Sequence, residues 1–138
     1  MIKAVLFDYG RVLYGPLLPH RKVRELAKDL RKNGVKTGIL SNIFPFAAWI
    51  LKFTGGYRGF DPIILSFKES ISKPDPRIYQ IAIRRLGVKP EEILFIDNLE
   101  ENIAAAQKTG MKVVVAKNSG QVVADVKSII LKENDLEL

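Results

Sequence analysis

The sequence of 138 residues contains no cysteine. This absence excludes a disulfide framework, a thiolate zinc site and a cysteine nucleophile, and it makes a reducing cytoplasm the expected location. Long hydrophobic runs are missing too, because the longest candidate, residues 44–53, is far shorter than the roughly 20 residues of a membrane-spanning helix. Trp49, inside that run, is expected in the core, with a partner surface as the alternative. The N-terminal residues lack the pattern of a signal peptide, so no membrane segment is expected.

Acidic residues are outnumbered: 15 Asp and Glu stand against 22 Lys and Arg, which gives a net charge of +7. A basic balance suits nucleic acid, anionic lipid or phosphorylated substrates. The densest basic cluster, residues 21–32, follows an amphipathic helical pattern. No aromatic residues alternate with these basic ones, as base stacking would require. The charges are spread along the chain and interleaved with acidic residues, so a solvated surface is the simplest explanation, and a nucleic-acid partner is not expected.

Repeats, low-complexity tracts and linkers are absent as well, and the length fits a single domain over residues 1–138. Short apolar runs alternate with helical periods, which is typical of a parallel sheet covered by helices on both faces. The predicted strands are residues 3–8, 36–41, 63–67, 93–97 and 112–116. The predicted helices are residues 19–33, 45–53, 76–87, 100–109 and 121–131, followed by an acidic tail expected to fray. The sequence thus predicts an α/β fold, a Rossmann-like three-layer sandwich with a five-stranded parallel sheet.

Polar residues follow several of the predicted strands. Asp8 and Asp97 each end an apolar run, where two facing carboxylates are most simply neutralised by a hard cation such as Mg²⁺. Ser41 ends the second strand and Lys73 precedes the third helix, and these two side chains supply what a phosphate needs. Singly, such residues are more often helix caps, turn residues or solvated charges. Together, at the carboxyl ends of parallel strands, they predict a site for Mg²⁺ and phosphate.

The four segments around these residues resemble, in order, the four motifs of the haloacid dehalogenase-like (HAD) hydrolases. They read VLFDYGRVL at 5–13, GILSN at 38–42, SKPDPRIY at 72–79 and ILFIDNLEENI at 93–103. Each motif alone is weak, but their order and spacing extend the resemblance over nearly the whole chain. The resemblance implies a HAD-like core and phosphomonoester hydrolysis with Mg²⁺ through an aspartyl-phosphate.

The resemblance also implies roles for individual residues. Asp8 is expected to be the nucleophile that attacks phosphorus. Ser41 and Asn42 are expected to bind the phosphate, and Lys73 to bridge the nucleophile and the phosphoryl group. Asp8, Ser41 and Lys73 therefore form the expected catalytic set. The expected ligands of Mg²⁺ are Asp8, Asp97 and the backbone carbonyl of Gly10.

Two residues depart from the family pattern. Gly10 stands where most family phosphatases have an Asp that protonates the leaving alkoxide and later activates water. General acid–base catalysis is typically worth about 10²–10⁴-fold, so slow turnover of alkyl phosphates is expected. Asn98 replaces a common second Asp, which predicts weaker Mg²⁺ binding, with Glu101 and Asn102 left as outer partners of the cation. His20 and Tyr14 are the nearest substitutes for the missing acid, although both also suit packing or surface positions.

The segment between the first two motifs is short. Only 27 residues separate Leu13 from Ser41, where family members with this motif set usually insert a helical cap domain. A cap closes over small substrates and excludes water. The sequence therefore predicts a core without a cap and an open site, which two copies of the chain could cover for each other as a homodimer.

Two functions of different classes stay open at this point. The first is a phosphatase whose turnover is slowed by Gly10. The second is a catalytically weak phosphate-binding or regulatory module on the same fold. Dehalogenation is disfavoured, because the cap normally supplies the groups that bind the halide.

Overall fold

The strands are β1 (Ala4–Phe7), β2 (Lys36–Ser41), β3 (Ile63–Leu65), β4 (Ile93–Asp97) and β5 (Lys112–Val115). They form one sheet with the order β3-β2-β1-β4-β5, and all neighbouring pairs are parallel. These observations come from a computed structural model, which describes residues 1–15 and 18–138. The predicted α/β class and five-stranded parallel sheet are confirmed, whereas the organisation as a single domain stays a prediction.

The helices are α1 (Arg21–Lys32), α2 (Pro45–Phe53), α3 (Ser66–Glu69), α4 (Pro76–Leu86), α5 (Glu100–Lys108) and α6 (Ser119–Asn134). The short helix α3 was not predicted; it takes over where the third strand was expected to continue to residue 67. A capping box between Asn118 and Gln121 starts α6 two residues earlier than predicted. Among residues 1–15 and 18–138, no helix has the length and apolar character to cross a bilayer.

The acidic tail does not fray as expected. The Asn134 side chain donates to the carbonyl of Ile2 at 2.8 Å and accepts from its N–H at 2.7 Å. Leu136 and Leu138 then pack against the core. Hydrogen bonds to Ile2, just before β1, and packing against the core thus order a segment whose local sequence does not predict order.

Helices cover both faces of the sheet, because strand residues alternate between the faces. Val5 and Phe7 of β1 pack with α1 and α6, whereas Ala4 and Leu6 pack with α4 and α5. Nearly all of these strand positions are fully buried, which explains why the runs read as continuously apolar. The predicted three-layer arrangement is confirmed.

The prediction that Trp49 lies in the core is wrong, because its side chain is 62% exposed. Helix α2 contacts the core through the small Ala48 and through Leu51 instead. The periodicity of an apolar helix does not say which side faces inward when both sides are apolar.

Candidate active site

Asp8 and Asp97 lie side by side at the carboxyl edge of the sheet. Strands β1 and β4 pair in parallel with Phe7 opposite Ile96, and the Asp8 N–H donates to the Ile96 carbonyl at 2.9 Å. The chain forms β1, β2 and β3 in one direction from this point and then crosses back to form β4 on the other side of β1. The two carboxylates therefore lie at the topological switch point, where sheets of this kind bind ligands.

The Lys73 ammonium lies between these carboxylates. Its Nζ donates to Asp8 Oδ1 at 2.9 Å and to Asp97 Oδ2 at 2.7 Å. The Lys73 and Asp97 side chains are 1% and 0% exposed, whereas that of Asp8 is 12% exposed. Charges buried to this extent persist only when they are paired and hydrogen-bonded. Asp8 is thus the member of the trio that a molecule from solvent can reach.

A side chain on a different motif fixes the position of Lys73. Asn42 Nδ2 donates to the Lys73 carbonyl at 3.0 Å, and Asn42 Oδ1 accepts from the Lys73 N–H at 2.9 Å. Both polar atoms of this amide are therefore engaged by the backbone of Lys73. The structure shows that Asn42 holds the loop that carries Lys73. A direct contact of Asn42 with phosphate stays a prediction.

Asp97 accepts two further hydrogen bonds. The Leu99 N–H donates to Oδ1 at 2.9 Å, and Asn102 Nδ2 donates to Oδ2 at 3.1 Å. The Tyr79 hydroxyl in turn donates to the Asn102 carbonyl at 2.9 Å. Burial is the main cause that raises the pKa of Tyr79, and the nearby carboxylates of Asp97 and Asp8 raise it further. The hydroxyl therefore stays protonated and remains a donor. Of the two outer partners predicted beside the cation, Asn102 contacts Asp97, and Glu101 is exposed.

Tyr79 is the supporting residue that the sequence did not reveal. Its ring is fully buried in α4 and packs edge to face on Phe95 with the centroids 5.6 Å apart. A large apolar residue at a helical core position gives no local sign that its hydroxyl supports a charged site.

The electrostatic balance at Asp8 is set first by burial, which raises the pKa of its carboxyl above 3.8. Lys73 opposes this shift, and the neighbouring charge of Asp97 adds to it. Two carboxylates and one ammonium leave the trio with one net negative charge. A further cation beside Asp8 would therefore be favourable.

Asn98 tests whether the residues present fit such a cation. With its Nδ2 facing the carboxylates, Asn98 donates to Asp97 Oδ1 and to Asp8 Oδ2, each at 3.3 Å. The opposite rotamer of the amide points its carbonyl oxygen at the same two oxygens, which gives a cluster of the hard ligands that Mg²⁺ prefers. No group of three His, Asp or Glu side chains forms a metal site within the described residues. The fit therefore rests on two carboxylates supplemented by amide and backbone oxygens.

Ser41 and Gly10 complete the predicted set. Ser41 ends β2, the strand next to β1, and is 2% exposed. Gly10 is exposed on the loop after Asp8, and a Cβ built on it meets no atom within 4 Å. The position thus has room for a side chain, so its being glycine is not required by packing.

The two substitutes predicted for the missing acid are engaged elsewhere. His20 Nδ1 lies 2.9 Å from the Val12 carbonyl, to which it donates as N–H. The Tyr14 ring stacks on that of Tyr9 with the centroids 5.9 Å apart. Neither side chain hydrogen-bonds to the Asp8 carboxylate within the part of the chain that the structure describes, and an acid role for either one stays a prediction.

Two clefts border α2, and each is lined by one of the predicted site residues, Gly10 or Asn42. One, of about 450 Å³, is lined by Tyr9, Gly10, Arg11, Tyr14 and Ile50, among others. The other, of about 530 Å³, lies between the loops that carry Asn42 and Ser72 and includes Phe44. Only 13 residues, 8–20, join β1 to α1, so there is no room for a cap domain between these two elements.

Comparison with known proteins identifies the class to which this fold and site belong. The family model of the haloacid dehalogenase-like hydrolases matches residues 2–110. A glyceraldehyde 3-phosphate phosphatase of Methanopyrus kandleri is 31% identical over 116 residues, which are 83% of this chain and 50% of that protein. The chain spans about half the length of such archaeal phosphatases. The chain belongs to the haloacid dehalogenase-like hydrolase family, as its motifs predicted.

Solved structures agree on the fold. An uncharacterized protein of Corynebacterium glutamicum superposes with a TM-score of 0.83 at 24% identity, covering 94% of this chain and 95% of that one. A HAD family enzyme of Bacteroides thetaiotaomicron, in complex with magnesium and inorganic phosphate, gives a TM-score of 0.72 at 20% identity, with coverages of 85% and 95%. The HAD-like core predicted from the sequence is confirmed.

Proposed function

We propose that this chain is a Mg²⁺-dependent phosphomonoester hydrolase in which Asp8 is the nucleophile. One observation carries the proposal: a buried Lys73 ammonium binds Asp8 and Asp97 at once, at 2.9 and 2.7 Å. This contact holds the Asp8 carboxylate in place and puts an ammonium group directly beside the oxygen that must approach phosphorus. Phosphatases among the relatives support a phosphorylated substrate.

The reaction has two steps. In the first, an Asp8 carboxylate oxygen bonds to phosphorus while the bond between phosphorus and the ester oxygen breaks, which gives an aspartyl-phosphate and an alkoxide or phenoxide. In the second, water attacks phosphorus and the acyl phosphate bond breaks, which regenerates the Asp8 carboxylate and releases inorganic phosphate; the proton that the water loses passes through solvent to the alkoxide or phenoxide. Lys73 offsets the negative charge that gathers in both steps, and Ser41 and Asn42 at the end of β2 bind the phosphate.

Asp8, Asp97 and the Gly10 carbonyl would hold Mg²⁺, and the Asn98 carbonyl oxygen is a further candidate on the geometry described above. When bound, the cation supplies Lewis-acid polarisation of the phosphoryl oxygens. The residues contribute the orientation: Asp97 is fixed by Leu99 and Asn102, so its carboxylate need not reorganise.

The preferred substrates are esters whose leaving group needs no protonation. Gly10 provides no acid for the leaving oxygen, and the space at its Cβ position is open to water. Aryl and acyl phosphates are therefore expected to react faster than alkyl phosphates, relative to a HAD phosphatase that has an acid at this position.

The cytoplasmic location expected from the sequence stays a prediction.

The test is hydrolysis of p-nitrophenyl phosphate, with Mg²⁺ and with a chelator, by the wild-type protein and by Asp8→Asn. We expect Mg²⁺-dependent turnover that Asp8→Asn abolishes. We also expect an acid-quenched wild-type sample to contain a species heavier by one phosphoryl group, which the variant lacks. Equal residual rates in the two proteins would show that Asp8 is not a nucleophile.

A phosphate-binding or regulatory module is the second candidate, and the observations that favour it are Gly10 and Asn98 in place of two carboxylates. In that case the wild type binds inorganic phosphate with Mg²⁺ but has the same hydrolysis rate as Asp8→Asn. Calorimetric titration with phosphate, run beside the hydrolysis assay, separates this candidate from an inactive protein that binds nothing.

A further inference from the structure

Helix α2 turns its most hydrophobic side to solvent. Its residues Phe46, Trp49, Ile50 and Phe53 share one stripe by helical spacing and are 40–81% exposed, and Phe44 just before the helix is 82% exposed. The rings form a stack, with centroids 6.4 Å apart between Phe46 and Trp49 and 5.7 Å between Trp49 and Phe53. These five side chains are called the aromatic ridge below. They leave only Ala48 and its neighbours to face the core.

The ridge has the size of half a protein interface. An aromatic side chain offers about 150–250 Å² of surface, so four aromatics exposed by 62–82% present on the order of 600 Å². The largest apolar patch on a monomer is typically about 300–600 Å². A stable interface buries roughly 800 Å² per partner. Ile50 and the rim around the ridge bring this surface close to the area that a stable dimer needs.

An apolar recess lies directly beside the ridge. A cleft of about 540 Å³ opens between α2 and the edge strand β3. Trp49 forms part of its wall with Tyr57, Leu65 and Phe67, and Lys52 and Lys68 line it as well. The face therefore carries both a protrusion and, beside it, a largely apolar cleft. A two-fold interface needs this combination, because the same patch must be complementary to itself.

The distribution of charge selects the kind of partner. Residues 42–60 contain no Asp or Glu, and their only basic residues are Lys52 and Arg58. Helical spacing puts Lys52 at the margin of the stripe, so no charge lies in its centre. Interfaces between proteins have such centres, rich in Phe and Trp and depleted of charge. Nucleic acid would require basic residues among the rings.

We propose that the aromatic ridge is the interface of a homodimer, in which α2 of each copy packs its rings into the Trp49 cleft of the other about a two-fold axis. Phe44 also lines the cleft beside Asn42, and Ile50 lines the cleft beside Gly10. The second copy therefore stands next to both of these clefts, beside the loops that carry Asn42 and Gly10.

Light scattering after size exclusion and sedimentation equilibrium test this interface. We expect a particle of twice 15.5 kDa for the wild type and of 15.5 kDa for Phe53→Lys. Phe46→Ser, which adds no charge, should weaken association by roughly 30-fold or more if the ridge contains a hot spot. Leu131→Lys is the matched control, since Leu131 is 51% exposed on α6, outside the ridge, and this variant should remain dimeric. Far-ultraviolet circular dichroism checks that each variant is folded.

Trp49 is the only tryptophan, so its emission reports on the interface directly. Dilution of the wild type should shift the emission to longer wavelength as the dimer dissociates, whereas Phe53→Lys should emit at the longer wavelength throughout. A wild type that is monomeric at every concentration overturns the proposal. So does a wild type dimer that Phe53→Lys and Phe46→Ser leave intact. A monomer whose emission shifts only with vesicles of anionic lipid would assign the ridge to a membrane surface instead.

Discussion

Asn42 and Lys73 lie 31 positions apart in the chain, yet the Asn42 amide closes two hydrogen bonds on the Lys73 backbone, at 2.9 and 3.0 Å. This pair couples the loop after β2 to the loop that carries the buried ammonium. The position of the Lys73 ammonium beside Asp8 and Asp97 thus depends on Asn42, which itself hydrogen-bonds to neither carboxylate.

Asn42→Ala is expected to lower kcat for p-nitrophenyl phosphate by about 10- to 100-fold, because the lysine loop loses both anchors and the ammonium shifts. Steady-state kinetics measure the effect. Asn33→Ala is the matched control: Asn33 also donates to a backbone carbonyl, at 2.9 Å, but is exposed at the end of α1. Similar losses in both variants would contradict the coupling of Asn42 to Lys73.

Gly10→Asp should introduce the missing acid. The Gly10 backbone lies outside the left-handed region and its Cβ position is empty, so the side chain fits without strain. We expect hydrolysis of alkyl phosphates to rise by up to about 10²–10⁴-fold, and hydrolysis of p-nitrophenyl phosphate to rise far less. Gly10→Asn, which has the same shape but no acid, should give neither gain. An equal gain on both substrates would mean that this position does not protonate the leaving group.

Asn98→Asp is expected to tighten Mg²⁺ binding by about tenfold or more, which corresponds to about 1.4 kcal/mol. The reason is that a neutral amide 3.3 Å from two carboxylate oxygens becomes a third negative charge, which a divalent cation offsets. Calorimetric titration with Mg²⁺ measures the change. The exposed Asn33→Asp adds the same charge away from the site and should leave the affinity unchanged. If Asn98→Asp binds Mg²⁺ no better than the wild type, the cation does not lie beside Asn98.

Asp8→Asn should stabilise the metal-free protein at neutral pH. The raised pKa of Asp8 means that the folded protein holds this proton more tightly than the unfolded chain, where the pKa is near 3.8. The contribution of Asp8 to stability is therefore present at low pH and is lost as the pH rises through its raised pKa. Urea unfolding with a chelator should show a gain for Asp8→Asn that shrinks as the pH falls towards 3.8.

Asp75→Asn is the control for that measurement, because the pKa of Asp75 is shifted in the opposite direction. Its hydrogen bonds with Arg77 lower the pKa of Asp75 to about 2, so its contribution is present above 3.8 and is lost as the pH falls through about 2. This variant should lose stability at neutral pH. A gain for Asp8→Asn that does not depend on pH would show that desolvation of the carboxylate is not its cause.

Arg11→Gly is expected to raise the free energy of unfolding by about 1 kcal/mol. Arg11 has a φ of 64°, in the left-handed region, where a residue with a Cβ costs roughly 1–2 kcal/mol more than glycine. Urea denaturation measures this difference. Arg11→Ala removes the charge and keeps the Cβ, so it should show no such gain. A gain in both variants would assign the effect to the guanidinium.

The sequence by itself determined the class of the fold and the family, and it identified the candidate residues of the site. Strands buried on both faces must be continuously apolar, so β1 and β4 stand out locally, and Asp8 and Asp97 mark their ends. The order and spacing of four short motifs then sufficed to expect Lys73 beside them. Each of these signals lies within a short segment, so it can be recognised in the sequence without the structure.

Only the tertiary structure decided the strand order, the use of Asn42 and Tyr79, and the outward face of α2. The order β3-β2-β1-β4-β5 depends on contacts between segments far apart in the chain, which no window of sequence contains. The Asn42 amide hydrogen-bonds to the backbone of a distant loop, and the Tyr79 hydroxyl lies inside an apolar helix. Neither role is visible in the sequence, because the partners of both groups come from other segments of the chain. The prediction that Trp49 is buried failed for the same reason. An apolar helix buries the side that packs best against its neighbours, and in α2 that side contains Ala48 and not Trp49.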